Sequence, residues 1–382
     1  MAEEYKFETR CIHGNGGLVE GHPYGAVSVP IFQTATFAHP GIGRSTGYDY
    51  TRESNPTRHE LESVMSTLEE ADDSIACTSG MAAIGLCLEL FEEGSHILCT
   101  EDLYGGTVRM FESIGEKRGV TFSYADTSDI ELVRKSIRKE TKALYIETPS
   151  NPTMKVTDFA AMRKIADEYG LLIIADNTFL TPYFQKPLTL GADLVVHSGT
   201  KFLGGHNDVL AGFVCIKGKG LSEKLRYTYK TVGCCLPPFD SFLVLRGIKT
   251  LSVRLEQENA KKIALWLKDR PEVKAVYYTG LPEHPGYEIN QKQASGCGSM
   301  ISFKVDSEKR ARKLLESVKL ISYAESLGGV ESLITYPMLQ THGDVPVETR
   351  ERLGITEDFL RMSVGIENAE DLIADLEQAL AE

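Results

Sequence analysis

The sequence contains no C-x-x-C pair, although eight cysteines are scattered through its 382 residues and two of them, Cys234 and Cys235, are adjacent. Without such pairs neither a zinc framework nor a disulfide scaffold is legible. The thiols are expected to be small buried apolar groups in a reducing compartment. Positive charge is also short. Lys and Arg number 41 against 54 Asp and Glu, for a formal net charge of −13. That excess argues against a nucleic acid or an anionic membrane surface as partner, because both require a basic patch. No apolar run approaches the roughly 20 residues of a membrane span. The opening Met1-Ala-Glu-Glu-Tyr-Lys6 has no apolar signal core, so a cytoplasmic location is expected. No early strand is followed by G-x-G-x-x-G, which removes the dinucleotide fingerprint of a nicotinamide dehydrogenase. Internal repeats and low-complexity tracts are absent, and no metal ligand set stands out. A chain that is 42% hydrophobic and 25% charged is left as a soluble globular protein, long enough for two domains.

Hydrophobic patterning divides it. Residues 1–55 are rich in Gly and Pro and read as an extended arm that contacts a neighbouring subunit. Asn55-Pro56-Thr57 opens a helix through Leu68, with Pro at a helix start as expected. Helices and apolar strands then alternate. Strands are expected at His96–Cys99, Val120–Tyr124, Ala143–Ile146, Leu171–Ala175, Leu194–Val196 and Gly212–Ile216, with helices at 81–91, 109–118, 130–139 and 159–169. Strands without period-two alternation imply a mostly parallel sheet covered on both faces. One long helix or a pair is expected over Phe239–Leu267. Strands at Val273–Val276, Met300–Phe303 and Leu360–Val364 and helices at Glu308–Val318 and Ala369–Leu380 make a small α+β unit. The domains are thus an arm at 1–55, a large domain at 56–245 and a small C-terminal domain at 246–382.

The most informative run is Asp193-Leu-Val-Val-His-Ser198-Gly-Thr200-Lys201, an apolar strand that delivers a lysine at a small polar turn. Such an amine can form a Schiff base with an aldehyde cofactor, and the hydroxyls of Ser198 and Thr200 can bond a phosphate. Leu171-Leu-Ile-Ile-Ala-Asp176 is a second apolar run that ends in a carboxylate. Pyridoxal phosphate needs this set: a lysine for its aldehyde, an aspartate for its pyridinium nitrogen and donors for its phosphate. Cys77-Thr78-Ser79-Gly80-Met81 reads as a strand end turning into a helix. Its free N–H groups suit a phosphate, though a plain Ser79 cap also accounts for the run. Tyr104, just past a strand, can lie against a pyridine ring or sit in a surface loop. Asn151 can meet a cofactor oxygen or a substrate carboxylate, or simply turn the chain before Pro152. Arg52 beside Tyr50 suits a phosphate or is a solvated charge. Arg361 falls inside a short apolar strand, where a charge requires an anion. A substrate carboxylate and a structural ion pair both answer that requirement.

Taken in order, several segments resemble the Cys/Met-metabolism (transsulfuration) family of fold-type I pyridoxal phosphate (PLP) enzymes. They are Tyr50-Thr-Arg52-Glu-Ser-Asn-Pro-Thr57, Ser79-Gly80-Met81, Leu103-Tyr104-Gly105-Gly106-Thr107, Glu147-Thr-Pro-Ser-Asn151-Pro152, Asp176-Asn-Thr178, His197-Ser-Gly-Thr-Lys201, Glu325-Ser326-Leu-Gly-Gly and Arg361-Met-Ser-Val-Gly365. The resemblance implies an α/β fold with a mostly parallel seven-stranded sheet and a small α+β C-terminal domain. It implies that Lys201 carries the cofactor and later shuttles protons, that Asp176 holds the pyridinium proton and that Tyr104 stacks on the ring. Gly80 and Met81 N–H groups, Ser198 and Thr200 would hold the phosphate. Tyr50 and Arg52 would reach it from a neighbouring subunit, in a homotetramer made as a dimer of dimers. Arg361, Ser326 and Asn151 would bind the α-carboxylate of a small amino-acid substrate. Methionine-specific relatives carry a Cys after the Tyr-Gly pair, where Gly106 stands here. Glu325 resembles the cystathionine-handling members, where a carboxylate can meet the distal ammonium. The implied activity is C–S cleavage of cystathionine. β-Elimination to homocysteine, pyruvate and ammonia is favoured, and γ-elimination stays open. The alternatives are a cystathionine γ-synthase, joining cysteine to an O-acylhomoserine, and a catalytically inert cofactor-binding homologue. Retention of Lys201, Asp176, Tyr104 and Arg361 counts against the last.

Overall fold

The computed structural model describes residues 5–14, 22–256, 258–343 and 345–381. The large domain is built on seven strands: β1 (Asp73–Cys77), β2 (His96–Thr100), β3 (Thr121–Ala125), β4 (Thr141–Glu147), β5 (Leu172–Asp176), β6 (Leu194–Ser198) and β7 (Gly212–Ile216). They lie in the order β1-β7-β6-β5-β4-β2-β3. Neighbours from β6 to β3 run parallel, and β7 runs antiparallel to both β1 and β6. These strands are near-continuous apolar runs because both faces are covered. Ile173, Ala175 and Val195 pack into one layer with Leu61, Met65 and Met162. Ile174, Leu194 and Val196 pack into the other with Ile84, Cys87 and Leu225.

The first helix, α1 (Phe7–His13), lies against the large domain through buried Cys11 and an edge contact of Phe7 with Tyr183 at 5.4 Å. Residues 22–50 then run largely without regular structure and leave Tyr24, Val27 and Ile42 exposed. As the sequence predicts, α2 (Pro56–Glu69) starts at Asn55, whose side chain accepts the Thr57 N–H, with Pro at the first helical position. Two further helices matter for the site, α3 (Gly80–Leu88) and α4 (Gly105–Met110). The expected 109–118 helix therefore begins earlier, and it continues through a π turn and a 3₁₀ turn to Arg118.

The small domain has five strands in the order β10-β11-β12-β9-β8: β8 (Val273–Tyr277), β9 (Met300–Val305), β10 (Ser322–Tyr323), β11 (Leu333–Thr335) and β12 (Phe359–Ser363). Its own core holds Ile301, Phe303, Leu314, Leu360, Met362 and Leu372. Where one long helix or a pair is expected over Phe239–Leu267, there are three helices, Pro238–Ile248, Leu251–Leu255 and Asn259–Lys268. The chain leaves helical dihedrals at Thr250 (φ −111°, ψ 11°). Bending there serves two cores, because Val244, Leu245, Ile248 and Leu255 belong to the large domain and Ala260, Ile263 and Leu267 to the small one. A boundary at 245/246 would cut the first of these helices. The crossing lies between Leu255 and Ala260.

Candidate active site

Parallel strands place their C-terminal ends on one edge, and ligands bind there in open α/β sheets. In this protein β4, β5 and β6 end on that edge at Glu147, Asp176 and Ser198. The start of α3 and the small-domain strand β12 close around them, leaving a cavity of about 610 Å³. Lys201 lines it from the turn after β6. Its Nζ donates to Ser326 Oγ at 2.7 Å. Burial, with the Arg361 charge nearby, pushes the lysine pKa down to about 8, and Glu325 acts in the opposite direction. The amine is therefore substantially neutral near pH 8, the form that attacks a carbonyl.

Asp176 and Glu147 are register partners on β5 and β4. Asp176 Oδ1 accepts the Thr178 N–H at 3.0 Å, and Glu147 Oε2 accepts the Tyr104 N–H at 3.0 Å. Burial raises the pKa of Asp176. Glu147 is raised well above the ordinary carboxylate range, by burial first and then by the Asp176 charge. Two buried carboxylates side by side favour one proton between them, and the larger upward push is on Glu147. A cation over Asp176 would keep that aspartate ionised.

At the start of α3, Ser79 is the cap and its Oγ accepts the Ala82 N–H at 3.1 Å. Gly80 and Met81 are the first two helical residues, so their N–H groups have no carbonyl a turn earlier in the helix. Ser198 Oγ stands 3.1 Å from where a Cβ on Gly80 would be, which sets a hydroxyl beside these donors. A Cβ on Gly212 would meet the Ser79 carbonyl oxygen at 2.0 Å, so only glycine lets β7 approach this turn. Thr200 Oγ1 accepts the Ala211 N–H at 3.0 Å. The result is a cradle of hydroxyls and N–H groups that can hold a phosphate.

Arg361 enters from β12 with 2% exposure. Its guanidinium donates to Asn151 Oδ1 at 2.7 Å and to the Ser326 carbonyl at 3.0 Å. Neither partner is charged, so the structural ion pair open to this residue is not made among the described residues. Burial pushes its pKa down to about 10, with Tyr104, Glu147 and Glu325 acting against that shift. Tyr104 precedes α4, and its ring fills the space over Gly106, where a Cβ would meet Cε1 at 2.4 Å. Glu325 is exposed at the rim.

The cavity thus gathers Lys201, Tyr104, Asp176, Gly80, Met81, Ser198, Thr200, Arg361, Ser326, Asn151 and Glu325. Tyr50 and Arg52 lie elsewhere, in a separate depression beside Gly233 and Pro238. Arg52 donates to the Lys230 carbonyl and sits 5.3 Å over the Tyr50 ring. Glu147, Gln340 and Thr341 also line the cavity and had no role assigned from sequence. Glu147 could have been found as a carboxylate at a strand end, the signal that marks Asp176. Among the described residues no cluster of three or more His, Cys, Asp or Glu is placed to hold a metal, and no helix is long and apolar enough to cross a membrane.

A strand-end lysine, a buried aspartate and an anion-ready helix start, shared between a mostly parallel sheet and a small second domain, define a PLP-dependent enzyme fold. Known proteins narrow the class. The family model described as Cys/Met metabolism PLP-dependent enzyme matches residues 8–381, and the chain belongs to that family. A cystathionine gamma-lyase of Bacillus subtilis (strain 168) is 49% identical over 377 residues, covering 98% of this chain and 99% of that protein. A cystathionine beta-lyase of Lactococcus lactis subsp. cremoris (strain MG1363) is 45% identical over 375 residues, covering 98% of each. The crystal structure of cystathionine gamma-lyase from Lactobacillus plantarum complexed with L-serine superposes with a TM-score of 0.96 at 44% identity, covering 99% of both chains.

Proposed function

We propose that the protein is a PLP-dependent carbon–sulfur lyase that cleaves cystathionine, with β-elimination as the favoured course. One observation carries this reading: Lys201 and Arg361 both bond to Ser326, the amine to its hydroxyl and the guanidinium to its carbonyl. An α-carboxylate held by Arg361 therefore presents its α-carbon to the lysine.

When bound, PLP supplies an electron sink for negative charge at the substrate α-carbon. The residues divide the remaining work. Lys201 would hold the cofactor's aldehyde, and its Nζ would take the α-proton; its lowered pKa keeps a free amine available. Asp176 holds the pyridinium proton. Gly80, Met81, Ser198 and Thr200 would hold the phosphate, and Tyr104 would lie against the ring. Asn151 fixes the Arg361 fork in plane through its 2.7 Å bond, and Arg361 and Ser326 receive the carboxylate. Glu325 faces the distal ammonium from the rim. Tyr50 and Arg52 are exposed and apart from their own cavity. That placement supports their action on the phosphate of a neighbouring copy, in a homotetramer built as a dimer of dimers. A cytoplasmic location completes the reading.

Product analysis with cystathionine tests it. Pyruvate with homocysteine is expected. 2-Oxobutyrate with cysteine would move the cleavage to the γ-carbon. Condensation of cysteine with an O-acylhomoserine, without release of either oxoacid, would replace the lyase by a synthase.

A further inference from the structure

Behind the cavity wall two buried polar atoms face each other without bonding. Asp102 lies in the turn before Tyr104 and His342 in the loop after β11, with side chains 0% and 1% exposed. Their nearest atoms, Asp102 Oδ1 and His342 Nε2, are 3.9 Å apart. Neither atom makes a well-aligned hydrogen bond among the described residues, although the Leu103 backbone lies close enough to the His342 ring to favour its proton. Other atoms of both side chains are well held. Asp102 Oδ2 accepts from Ser150 Oγ at 2.7 Å, from the Thr153 N–H at 3.0 Å and from Thr153 Oγ1. His342 Nδ1 bonds Thr341 Oγ1 at 3.0 Å. Buried orphan groups of this kind are expensive, and a small closure would let this pair bond.

Their surroundings say what would drive it. Asp102 anchors the Ser150–Thr153 turn that carries Asn151, the partner of Arg361. His342 follows Thr341, which lines the cavity and whose carbonyl would lie 2.3 Å from a Cβ on Gly105. The gap is thus the joint between the large-domain turns and the small-domain loop that wall the site. Burial most opposes a proton on His342; of the charged groups facing it, Asp102 favours the proton and Arg361 and Arg350 oppose it, while the Leu103 backbone favours it. An anion on Arg361 would cancel one of the opposing cations and strengthen the attraction of His342 to Asp102. A ligand can shift a structure only through such a differential interaction.

We propose that His342 is a positioning residue, whose Nε2–H closes onto Asp102 Oδ1 when an amino-acid carboxylate reaches Arg361, seating the Gln340–Thr341 loop against the Tyr104 turn. This rests on the reading of the cavity as an amino-acid site, and the test separates the two. In the wild-type holoenzyme, hydrogen exchange of the 336–343 segment is measured with and without glycine, an amino acid with no leaving group. Added glycine slows exchange there. His342→Leu, which keeps bulk but loses the donor, raises KM for cystathionine at least tenfold, about 1.4 kcal/mol. Its kcat stays within about threefold, its cofactor absorbance is unchanged, and the glycine effect disappears. His342→Gln, whose amide reaches where Nε2 stood, restores KM to within about threefold of wild type. Wild-type turnover of cystathionine with no glycine effect on exchange overturns the proposal, as does His342→Leu with wild-type KM or His342→Gln as impaired as His342→Leu. A wild-type enzyme that neither binds glycine nor turns over cystathionine overturns the amino-acid site itself.

Discussion

Arg361→Met is the sharpest perturbation available, because it acts on an interaction that is incomplete until substrate arrives. The guanidinium is buried and bonded only to an amide oxygen and a carbonyl. The drop of its pKa from 12.5 to about 10 corresponds to about 3 kcal/mol spent on keeping the charge there. The sign is worked from a cation whose folded pKa lies below its unfolded one. Both states are charged at neutral pH, so the whole penalty is present there, and it is relieved only as pH rises through about 10. Methionine removes that penalty and leaves Asn151 Oδ1 and the Ser326 carbonyl without their donor, at a cost of about 1–3 kcal/mol. The two effects nearly cancel, so the midpoint of unfolding should move little. Substrate binding should change far more. A carboxylate held by two charge-assisted bonds contributes at least about 3 kcal/mol, so KM for cystathionine should rise about 10²-fold or more. Bound cofactor should keep its absorbance. Steady-state kinetics and thermal unfolding on one preparation are the assay. An unchanged KM, or loss of cofactor with substrate affinity intact, would refute the role given to Arg361.

Three further perturbations test the rest of the site. Apoenzyme remixed with PLP should link Lys201 at a rate that rises about tenfold per pH unit up to about 8 and then levels; the lowered lysine pKa puts the proton-bearing, unreactive form below that value, and a plateau delayed to the ordinary lysine pKa would contradict it. Glu69→Ala should destabilise the fold by about 3 kcal/mol, because Glu69 Oε1 meets buried His197 Nε2 at 2.5 Å and Asn177 Nδ2 at 3.2 Å; a denaturation midpoint unaltered within error would show that the pair contributes nothing. Gly212→Ala drives a Cβ to within 2.0 Å of the Ser79 carbonyl, and overpacking of this kind costs about 1–3 kcal/mol. Its dissociation constant for PLP, measured by equilibrium dialysis, should rise about tenfold, whereas unchanged retention would mean that the α3 turn is not the cradle.

What could be seen in the sequence follows from how locally each feature is encoded. Lys201 and Asp176 were visible because one follows and the other ends an apolar strand, and the ends of parallel strands share one edge. Arg361 was visible because a charge within Phe-Leu-Arg-Met-Ser has to be answered. The sequence did not say that its answer inside the protein is two uncharged oxygens. Features that failed to show depend on contacts between distant segments. Glu147 is pushed up by burial and then by the β4–β5 register that sets it beside Asp176, and Asp102 faces His342 only across the domain joint. The helix Lys219–Val232 begins after Gly218 without a side-chain cap and carries Thr228, Thr231 and Val232, weak helix formers. It is held by Leu225 and Tyr229 against the sheet rather than by local signals. The break at Thr250 is set by the need to feed two cores, which periodicity cannot express.

The charge of the cavity joins these points into one argument. A chain with a net charge of −13 places two buried cations, Lys201 and Arg361, against a single serine. Burial depresses both, and Arg361 depresses Lys201 further. Nearby carboxylates could neutralise them by direct pairing. Instead Glu147 accepts a backbone N–H, with burial favouring its neutral form, and Glu325 sits at the rim. An arrangement tuned for stability alone would have placed an acid on Arg361. Leaving the guanidinium to neutral oxygens keeps its charge available to an anion, and a phosphate and an α-carboxylate are the two anions that this family's cofactor and substrates bring. The Arg361→Glu exchange would put a negative charge where those anions have to dock. It should abolish substrate binding more completely than Arg361→Met, and equal KM values for the two variants would show that charge at this position is immaterial.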